Sequence, residues 1–429
     1  MELKEIKEGS LVGIETTEGA YRGILMPRSE LADKGHLVIK LDNGYNIGIE
    51  KSKITQIELI EKKREKEEIE LKKAVSDPGK VNVSILATGG TIASKVDYVT
   101  GGVHSAFSAD ELISAVPELQ GIANISGKQV FNKFSENVNP GDWVKIARAV
   151  YDEVKNGACG VVVTHGTDTM GYTSAALSFM LKTPAPVILT GAQRSSDRGS
   201  SDAAMDLICA AQFAAKADFA GVFVVMHGEP SDSYCLIHPG TRVRKLHSSR
   251  RDAFKTVNDK PLGKADVNGN IEYLKDSNSY RFFIEKNKKD RLELDTKLEE
   301  KAALIKYFPG LNPEMISYLV NAGYKGIVLE GTGLGHVNEN LFKSIKQAID
   351  SGVTVAMTSQ TIFGRVNMRV YATGRNLLNA GVIPCEDMLP ETALVKLMWV
   401  LGHTNKAEKA REMMLTNYAG EITKRTTVE

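Results

Sequence analysis

The stretch Val81–Ser94, Val-Asn-Val-Ser-Ile-Leu-Ala-Thr-Gly-Gly-Thr-Ile-Ala-Ser, is the segment from which the fold of the chain is best predicted. It begins as a run of β-branched and aliphatic residues and breaks at Gly89 and Gly90, between two threonines. Such a run predicts a buried strand followed by a sharp turn. Because ligands bind beyond the carboxyl ends of strands in open parallel sheets, we expect Thr88 and Thr91 at the mouth of a site. A tight strand-to-helix turn with capping hydroxyls is the alternative interpretation.

The pattern of buried strand, polar tip and amphipathic helix recurs along the chain. Strands are predicted at Gly160–Thr164, Pro186–Thr190, Val222–Met226, Gly326–Glu330 and Val353–Met357, and helices at Asp142–Lys155, Ala203–Ala217, Asn338–Asp350 and Glu391–Leu401. This alternation predicts parallel sheets covered on both faces. The polar stretch Lys255–Lys301 is interpreted as an irregular crossing between two α/β lobes, a larger one at residues 81–300 and a smaller one at 301–429.

The region before the first lobe follows a different pattern. Residues 1–60 contain short alternating apolar segments, and Asn43-Gly44 between two of them predicts a hairpin. We predict a small all-β barrel of the SH3-like type that acts as a docking domain, because the region lacks the aromatic cluster that stacks on bases. Residues 61–80 are predicted to be a solvated helical linker, since the stretch Glu58–Lys73 is almost wholly charged with matched acids and bases.

Composition excludes several classes of function. The chain has 429 residues, with Lys+Arg 54 against Asp+Glu 53, which argues against nucleic-acid binding by charge alone. Its four cysteines are far apart, so we expect reduced thiols and no metal site. Neither a Walker A sequence nor a dinucleotide fingerprint is present, and Gly331–Gly335 has the wrong glycine spacing. The sequence contains no long apolar run, so we expect a cytoplasmic protein without membrane contact.

A second polar tip carries residues suited to catalysis. It reads His165-Gly166-Thr167-Asp168-Thr169-Met170, and Lys245 follows further along within Arg242–Leu246. A carboxylate beside a hydroxyl relays a proton or holds an ammonium group, and a lysine activates a hydroxyl nucleophile. The alternatives are a helix cap for Thr167-Asp168 and a solvated basic loop or RNA-facing patch for Arg242–Arg251.

These segments resemble the bacterial-type asparaginase and glutaminase family. The resemblance rests on Ile85–Ala93 and Thr164–Met170, supported by Leu189–Arg194, Val366–Met368, Tyr371–Gly374 and Ala393–Leu397, and it extends from about Val81 to the C-terminus. It implies a two-lobed asparaginase-like α/β body with parallel sheets, preceded here by the small all-β barrel. It also implies hydrolysis of a carboxamide through a threonine nucleophile and an acyl-enzyme intermediate.

The resemblance implies catalytic roles for four residues. Thr91 is one candidate nucleophile, and Thr167, Asp168 and Lys245 are the second hydroxyl with its acid and base. Which threonine attacks first is left open by the family.

The resemblance also implies a substrate-binding set. Ser135 and Glu136 match the position that holds the α-amino and carboxylate groups of the substrate, although many asparaginases have glutamine where Glu136 stands. Tyr98 lies in the lid that follows the first motif. The backbone N–H groups near Gly90 and Gly166 are candidates for stabilising the oxyanion.

The N-terminal barrel and linker distinguish the chain from free-standing asparaginases. This arrangement resembles the glutaminase subunits of archaeal glutamyl-tRNA(Gln) amidotransferases, ATP-dependent ligases of protein biosynthesis. The resemblance implies that the chain hydrolyses glutamine and passes ammonia to a partner E subunit that converts Glu-tRNA(Gln) to Gln-tRNA(Gln). The chain itself would hold no cofactor, while the E subunit would bind tRNA(Gln), ATP and magnesium, and the chain would form a homodimer within a heterotetramer.

Two other functions remain open at this point. One is a free-standing cytoplasmic L-asparaginase or glutaminase with an accessory N-terminal domain, and the other is an RNA or protein adaptor on an inactive α/β body. Glutamine and asparagine differ by one methylene, worth about 1 to 3 kcal/mol of discrimination, so the sequence leaves the preferred amide undecided.

Overall fold

The computed structural model describes residues 6–26, 35–41, 46–61, 77–90, 92, 94–96, 103–105, 109–195, 201–275 and 291–425. Thr91, Tyr98 and the Asn43-Gly44 turn lie outside these residues, and so does most of the charged stretch for which a helical linker is predicted. Within the described part, no helix has the length and apolar character needed to cross a membrane.

The N-terminal region forms a five-stranded antiparallel sheet in the order β4-β3-β2-β1-β5. Its strands are β1 Leu11–Thr16, β2 Gly19–Leu25, β3 His36–Lys40, β4 Asn46–Glu50 and β5 Ile54–Glu61. The hairpin prediction is confirmed, because β3 and β4 pair with Leu37 opposite Ile49. Alternate side chains such as Val12 and Ile14 are buried in a small core. No ladder joins β4 to β5 within residues 35–41 and 46–61, so the described part is an open sheet with one packed face.

The larger lobe is built on an eight-stranded sheet in the order β18-β17-β14-β13-β12-β10-β6-β9. Its strands are β6 Asn82–Gly89, β7 Ser94–Val96, β8 Val103–Ser105, β9 Asn124–Lys133, β10 Gly160–Thr164, β11 Leu181–Lys182, β12 Pro186–Thr190, β13 Gly221–His227, β14 Cys235–Pro239, β15 Val243–Lys245, β16 Phe254–Thr256, β17 Gly263–Ala265, β18 Ile271–Tyr273 and β19 Glu293–Leu294, of which β7/β8, β11/β19 and β15/β16 form separate two-stranded sheets. The helices are α1 Ala109–Ser114, α2 Leu119–Ile122, α3 Pro140–Lys155, α4 Met170–Met180 and α5 Ala203–Lys216, with a 3-10 turn at Ser135–Asn137.

Strand direction places the candidate site at one edge of this sheet. Strands β9, β6, β10, β12 and β13 run parallel, so Gly89, Thr164, Thr190 and His227 end at the same edge. The polar tips that follow these strands are therefore neighbours in space, as the sequence predicted.

The interpretation of Lys255–Lys301 as an irregular crossing was wrong in part. β14, β17 and β18 extend the sheet with antiparallel pairing, and β16 pairs with β15. The sheet is therefore mixed rather than purely parallel. Strands of three residues are too short to give a detectable alternation of apolar and polar residues, which explains why they were not predicted.

The smaller lobe has a four-stranded parallel sheet in the order β20-β21-β22-β23. Its elements are β20 Ala302–Lys306, α6 Glu314–Asn321, β21 Gly326–Gly331, α7 Phe342–Asp350 after a 3-10 turn at Glu339–Leu341, β22 Thr354–Ser359, α8 Ala372–Ala380, β23 Ile383–Pro384, α9 Pro390–Leu401 and α10 Ala407–Leu415. The two lobes share one core, in which Val161 and Leu177 of the larger lobe belong to the same buried cluster as Val328 and Leu397 of the smaller one. This shared core fixes the position of one lobe against the other.

Candidate active site

The first corner follows β6 and depends on two glycines. Gly89 and Gly90 have φ angles of 103° and 83°, which side-chain-bearing residues rarely adopt. A Cβ atom on Gly90 would lie 2.5 Å from the backbone N of Gly166, so the backbone after β6 touches the backbone after β10. Thr91 follows directly in the chain but lies outside the described residues.

Thr88 does not line the mouth of the site, so that prediction was wrong. Its side chain is 1% exposed. Its Oγ1 donates a hydrogen bond of 2.8 Å to the backbone O of Thr164 on the neighbouring strand. The strand β6 continues through Thr88 to Gly89, and the hydroxyl therefore holds two strands together just below the corner.

The second corner is supported by a buried neutral histidine. The Nδ1 atom of His165 lies 2.7 Å from the backbone O of Gly166, which can only accept, so Nδ1 carries the proton. The Nε2 atom then accepts from the hydroxyl of Thr173 at 3.0 Å. Burial lowers the pKa of His165 to about 4, against the hydrogen bond to Gly166 that raises it. His165 therefore shapes the turn and is not a proton carrier near neutral pH.

Lys245 joins the hydroxyl and the carboxylate of the second corner. Its Nζ atom donates to Oγ1 of Thr167 at 2.9 Å and to Oδ1 of Asp168 at 2.7 Å. Thr167 is buried, and the Lys245 side chain is 13% exposed against 67% for Asp168. The alternative of a helix cap does not describe this corner, because α4 begins without a side-chain cap and both side chains bind Lys245 instead.

Each arginine of the basic stretch around Lys245 is paired with an acid, although residues 246–250 are exposed. The pairs are Arg242 with Asp387 at 3.0 Å, Arg244 with Glu391 at 3.2 Å, Arg250 with Asp252 at 2.8 Å and Arg251 with Asp232 at 2.5 Å. Arg242 is fully buried. These acids neutralise the positive charges, so the alternative of an RNA-facing patch is not supported.

Ser135 is brought to the second corner, with Glu136 beside it. Thr169 Oγ1 donates to the backbone O of Ser135 at 2.7 Å. A Cβ atom on Gly166 would lie 2.8 Å from Cβ of Ser135, so the 3-10 turn packs against the backbone of the corner. Ser135 is buried and Glu136 is exposed. The structure thus brings together Ser135, Gly166, Thr167 and Lys245, whereas Tyr98 lies outside the described residues.

Asp202 supports the loop that follows β12, a role that the sequence did not indicate. Its two carboxylate oxygens accept from the backbone N–H groups of Gln193 and Arg194 at 2.8 and 2.9 Å. Asp202 is fully buried although it precedes a helix, where an acidic residue is usually interpreted as a cap. A buried carboxylate that binds two successive N–H groups fixes the loop that follows β12.

One group of three metal-ligating residue types occurs within the described part of the chain. Oxygen, nitrogen and sulfur atoms of Asp206, His227 and Cys235 lie within 4.8 Å of one another, and all three residues are buried. The Asp206 Oδ1 and His227 Nδ1 atoms are 2.6 Å apart, which is a hydrogen-bond distance. Two ligands about 2.05 Å from a tetrahedral zinc ion stand about 3.3 Å apart, so the arrangement is that of a hydrogen-bonded cluster.

Comparison with known proteins gives consistent matches over almost the whole chain. Residues 82–279 match the family model "Asparaginase, N-terminal", residues 301–414 match "Glutaminase/Asparaginase C-terminal domain", and residues 6–60 match "GatD N-terminal domain". Among solved structures, the thermostable L-asparaginase from Thermococcus kodakarensis is similar with a TM-score of 0.71 and 35% identity, over 80% of this chain and 100% of that one. The two lobes and their touching corners therefore define an asparaginase-type amidohydrolase body.

Curated relatives show to which family within the asparaginase-type amidohydrolases the chain belongs. The D subunit of the glutamyl-tRNA(Gln) amidotransferase of Pyrococcus furiosus is 57% identical over 98% of this chain and 96% of its own length. The protein of the same name from Methanothermobacter thermautotrophicus is 53% identical over 100% of this chain and 97% of its own. The chain belongs to the family of glutamyl-tRNA(Gln) amidotransferase D subunits.

Proposed function

We propose that this chain hydrolyses glutamine and supplies the ammonia to a partner E subunit, which converts Glu-tRNA(Gln) to Gln-tRNA(Gln). Family membership over nearly the full length supports this proposal. The observation that carries it is the position of Lys245 Nζ, 2.9 Å from Thr167 Oγ1 and 2.7 Å from Asp168 Oδ1. A free-standing asparaginase would need no counterpart of residues 6–60, which match the D-subunit N-terminal domain.

The reaction requires a hydroxyl that attacks the carbon of the side-chain amide. The hydroxyl loses its proton as the C–O bond forms, the nitrogen gains a proton and leaves as ammonia, and water then cleaves the threonine ester. Thr91 and Thr167 are the two candidate nucleophiles. The contact between Gly90 and Gly166 supports a common site for them, because each threonine directly follows one of these two glycines in the chain.

Lys245 and Asp168 are suited to stabilising negative charge at this site. An ammonium group at Nζ stabilises negative charge that develops on Thr167 Oγ1, and Asp168 keeps that group oriented. Because the Lys245 side chain is only 13% exposed, water screens this contact weakly. N–H groups near Gly90 and Gly166 are proposed to bind the oxyanion, and Tyr98 to cover the bound substrate.

Ser135 and Glu136 are proposed to bind the amino-acid end of glutamine. The exposed carboxylate of Glu136 suits an α-ammonium group, and the buried Ser135 lies against Gly166 beside the reacting hydroxyl. The two residues adjoin in one 3-10 turn, so they would hold the substrate backbone at a fixed distance from the amide.

The assembly is part of the same proposal. We place tRNA(Gln), ATP and magnesium binding in the E subunit, with the N-terminal sheet as a docking surface and a homodimer of this chain at the centre of a heterotetramer. The four cysteines are free thiols, which suits a reducing cytoplasm.

A reconstitution assay tests the proposal. Ammonia release from glutamine and from asparagine is measured with the chain alone and with its E subunit, Glu-tRNA(Gln), ATP and magnesium, and Gln-tRNA(Gln) is quantified in parallel. We expect weak hydrolysis by the chain alone, stimulation by the partner, and loss of both products in Thr91→Ala. Undiminished hydrolysis and amidation in Thr91→Ala would refute the catalytic assignment.

A truncation separates docking from chemistry. Deletion of residues 1–77 is expected to reduce partner-dependent amidation more than intrinsic hydrolysis.

Mass spectrometry of acid-quenched reactions, with Thr167→Val alongside Thr91→Ala, identifies the threonine that carries the acyl group. Brisk hydrolysis of asparagine that does not respond to the partner would favour a free-standing asparaginase.

A further inference from the structure

His227 lies between two carboxylates at the end of β13. Its Nδ1 atom is 2.6 Å from Oδ1 of Asp206, and its Nε2 atom is 3.2 Å from Oδ1 of Asp232. The His227 and Asp206 side chains are fully buried, whereas that of Asp232 is 67% exposed. The hydrogen bonds of His227 to Asp206 and Asp232 thus connect the interior of the larger lobe to a surface loop.

Both ring nitrogens of His227 must carry protons in this arrangement. An ionised carboxylate only accepts hydrogen bonds, so two carboxylates require two N–H donors, which an imidazolium has and a neutral imidazole lacks. His165 shows the opposite case, because one of its nitrogens faces a carbonyl and the other a hydroxyl that donates. The two buried histidines therefore differ in charge.

The surroundings of His227 agree with a cation at this position. Burial lowers the pKa of His227, but the hydrogen bond to Asp206, the charge of Asp206 and the hydrogen bond to Asp232 outweigh this effect and raise it to about 9. The nearby acid Asp202 acts in the same direction. Cys235 donates a further hydrogen bond to Asp206 Oδ1 at 3.2 Å, and Cys209 interacts with Cys235.

His227 and Cys235 bind the same oxygen of the Asp206 carboxylate, Oδ1. Its Oδ2 atom is buried and has no hydrogen-bond partner among the described residues. Burial raises the pKa of Asp206 to about 6, although the hydrogen bond to His227 and its charge lower it. An ionised Asp206 with an imidazolium partner is therefore the state near neutral pH.

Asp232 also binds the turn that follows Lys245, so it joins this turn to His227. Arg251 lies in the turn between β15 and β16 and donates from Nη1 to Asp232 Oδ1 at 2.5 Å. Its Nη2 atom also donates to the backbone O of Pro230. Lys245 is the last residue of β15 and pairs with Phe254 across the same hairpin.

We infer that the imidazolium of His227 is a positioning group, which holds the β15–β16 turn through Asp232 and Arg251 and thereby fixes Lys245 against Thr167. The inference rests on the proposed function in one respect, since it gives the position of Lys245 a catalytic meaning. The charge of His227 itself is independent of the reaction. The chain of contacts begins in the core and ends beside the candidate catalytic residues.

Nitrogen NMR of the full chain with labelled histidine tests the charge. Because Asp232 is exposed, the Asp232→Asn variant should fold. The His227→Gln variant identifies the resonances of His227. We expect both nitrogens of His227 to be protonated at pH 7.5 in the wild type, His165 to be neutral in the same spectrum, and the His227 titration to move to lower pH in Asp232→Asn. A neutral His227 at pH 7.5, or one zinc ion per purified chain, would overturn the inference.

Kinetics test the positioning role in the complex with the E subunit. Asp232→Asn and Arg251→Gln are each expected to lower kcat for ammonia release by about 10-fold with little change in KM, and the double variant to be no worse than either single one. Arg250→Gln is the matched control, because Arg250 lies in the same turn but binds Asp252. Unchanged kcat in both single variants would refute the role even if the NMR result holds, and an inactive wild type would refute the proposed function instead.

Discussion

The Nζ atom of Lys245 lies 2.9 Å from Oγ1 of Thr167, although the two residues are separated by 78 positions in the chain. Thr167 belongs to the tip after β10, a central strand of the main sheet, and Lys245 belongs to the separate two-stranded hairpin of β15 and β16. The contact therefore depends on everything that holds this hairpin against the sheet.

Replacement of Lys245 by Met should abolish most of the amide hydrolysis. Met keeps the length of the side chain but has no donor for Thr167 or Asp168, and loss of one donor that stabilises developing negative charge costs about 10² to 10³ in rate. Ammonia release from glutamine measures the effect. Lys264→Met is the control, because Lys264 pairs with Glu272 of the edge strand β18. Equal activities in the two variants would remove Lys245 from the mechanism.

Replacement of Gly90 by Ala should inactivate the enzyme. The new Cβ would lie 2.5 Å from the backbone N of Gly166, and the φ angle of 83° adds strain, so the two corners must separate. Gly352→Ala is the matched control, since Gly352 has a φ of 88° and a Cβ added there would meet no atom within 4 Å. It should lose only about 1 to 2 kcal/mol of stability and keep its activity. Activity assays and urea unfolding distinguish the two effects, and an active Gly90→Ala would show that the corners need not touch.

Replacement of Asp387 by Ala should destabilise the junction between the lobes strongly. Asp387 Oδ2 is 3.0 Å from Nη1 of the fully buried Arg242, and removal of one partner leaves a buried charge without compensation, at a cost of about 3 to 5 kcal/mol. Asp350→Ala, which breaks an exposed pair with Lys346, should cost about 0.5 kcal/mol or less. The double variant Arg242→Met/Asp387→Leu should recover most of the loss. Guanidinium unfolding provides the values, and equal losses in Asp387→Ala and Asp350→Ala would contradict the prediction.

The stability of the larger lobe should fall in mild acid because of His165. Burial lowers the pKa of His165 from 6.5 to about 4, so between these values the unfolded chain binds more protons than the folded one. The contribution of His165 to the free energy of unfolding therefore decreases as the pH falls from 6.5 to 4, by about 3 kcal/mol. Urea unfolding at a series of pH values measures this slope. It should be smaller in His165→Gln and unchanged in His36→Gln, which alters an exposed residue of the N-terminal sheet, and an unaltered slope in His165→Gln would refute the assignment.

The central strands were predictable because they are buried along their whole length. Gly160–Thr164 and Pro186–Thr190 are observed with the predicted bounds, and every residue in them is buried. Short apolar runs rich in β-branched residues that end at glycine or at polar tips indicate strands when both faces of a sheet are covered. The placement of the tips at one edge of the sheet then follows from parallel pairing.

The remaining features depend on contacts that are distant in the sequence. Arg242 has the local sequence of a solvated residue, but its partner Asp387 is 145 positions away, and Thr88 turns to the neighbouring strand instead of the mouth. The protonation of His227 likewise requires knowledge of Asp206 and Asp232 on both sides of its ring. Local pattern identifies residue types suited to chemistry, and only the fold shows which of them meet.

One contact of the larger lobe can form only after the C-terminal segment has been synthesised. Arg242 Nε donates to the backbone O of Gly420 at 2.7 Å, across 178 positions. A ribosome must therefore add 178 residues after Arg242, which lies three positions before Lys245, before Arg242 acquires this partner. A nascent chain that stalls or is cleaved before Gly420 would leave Arg242 without this partner, so premature termination should yield a chain that is not merely shortened but also less firmly held beside Lys245.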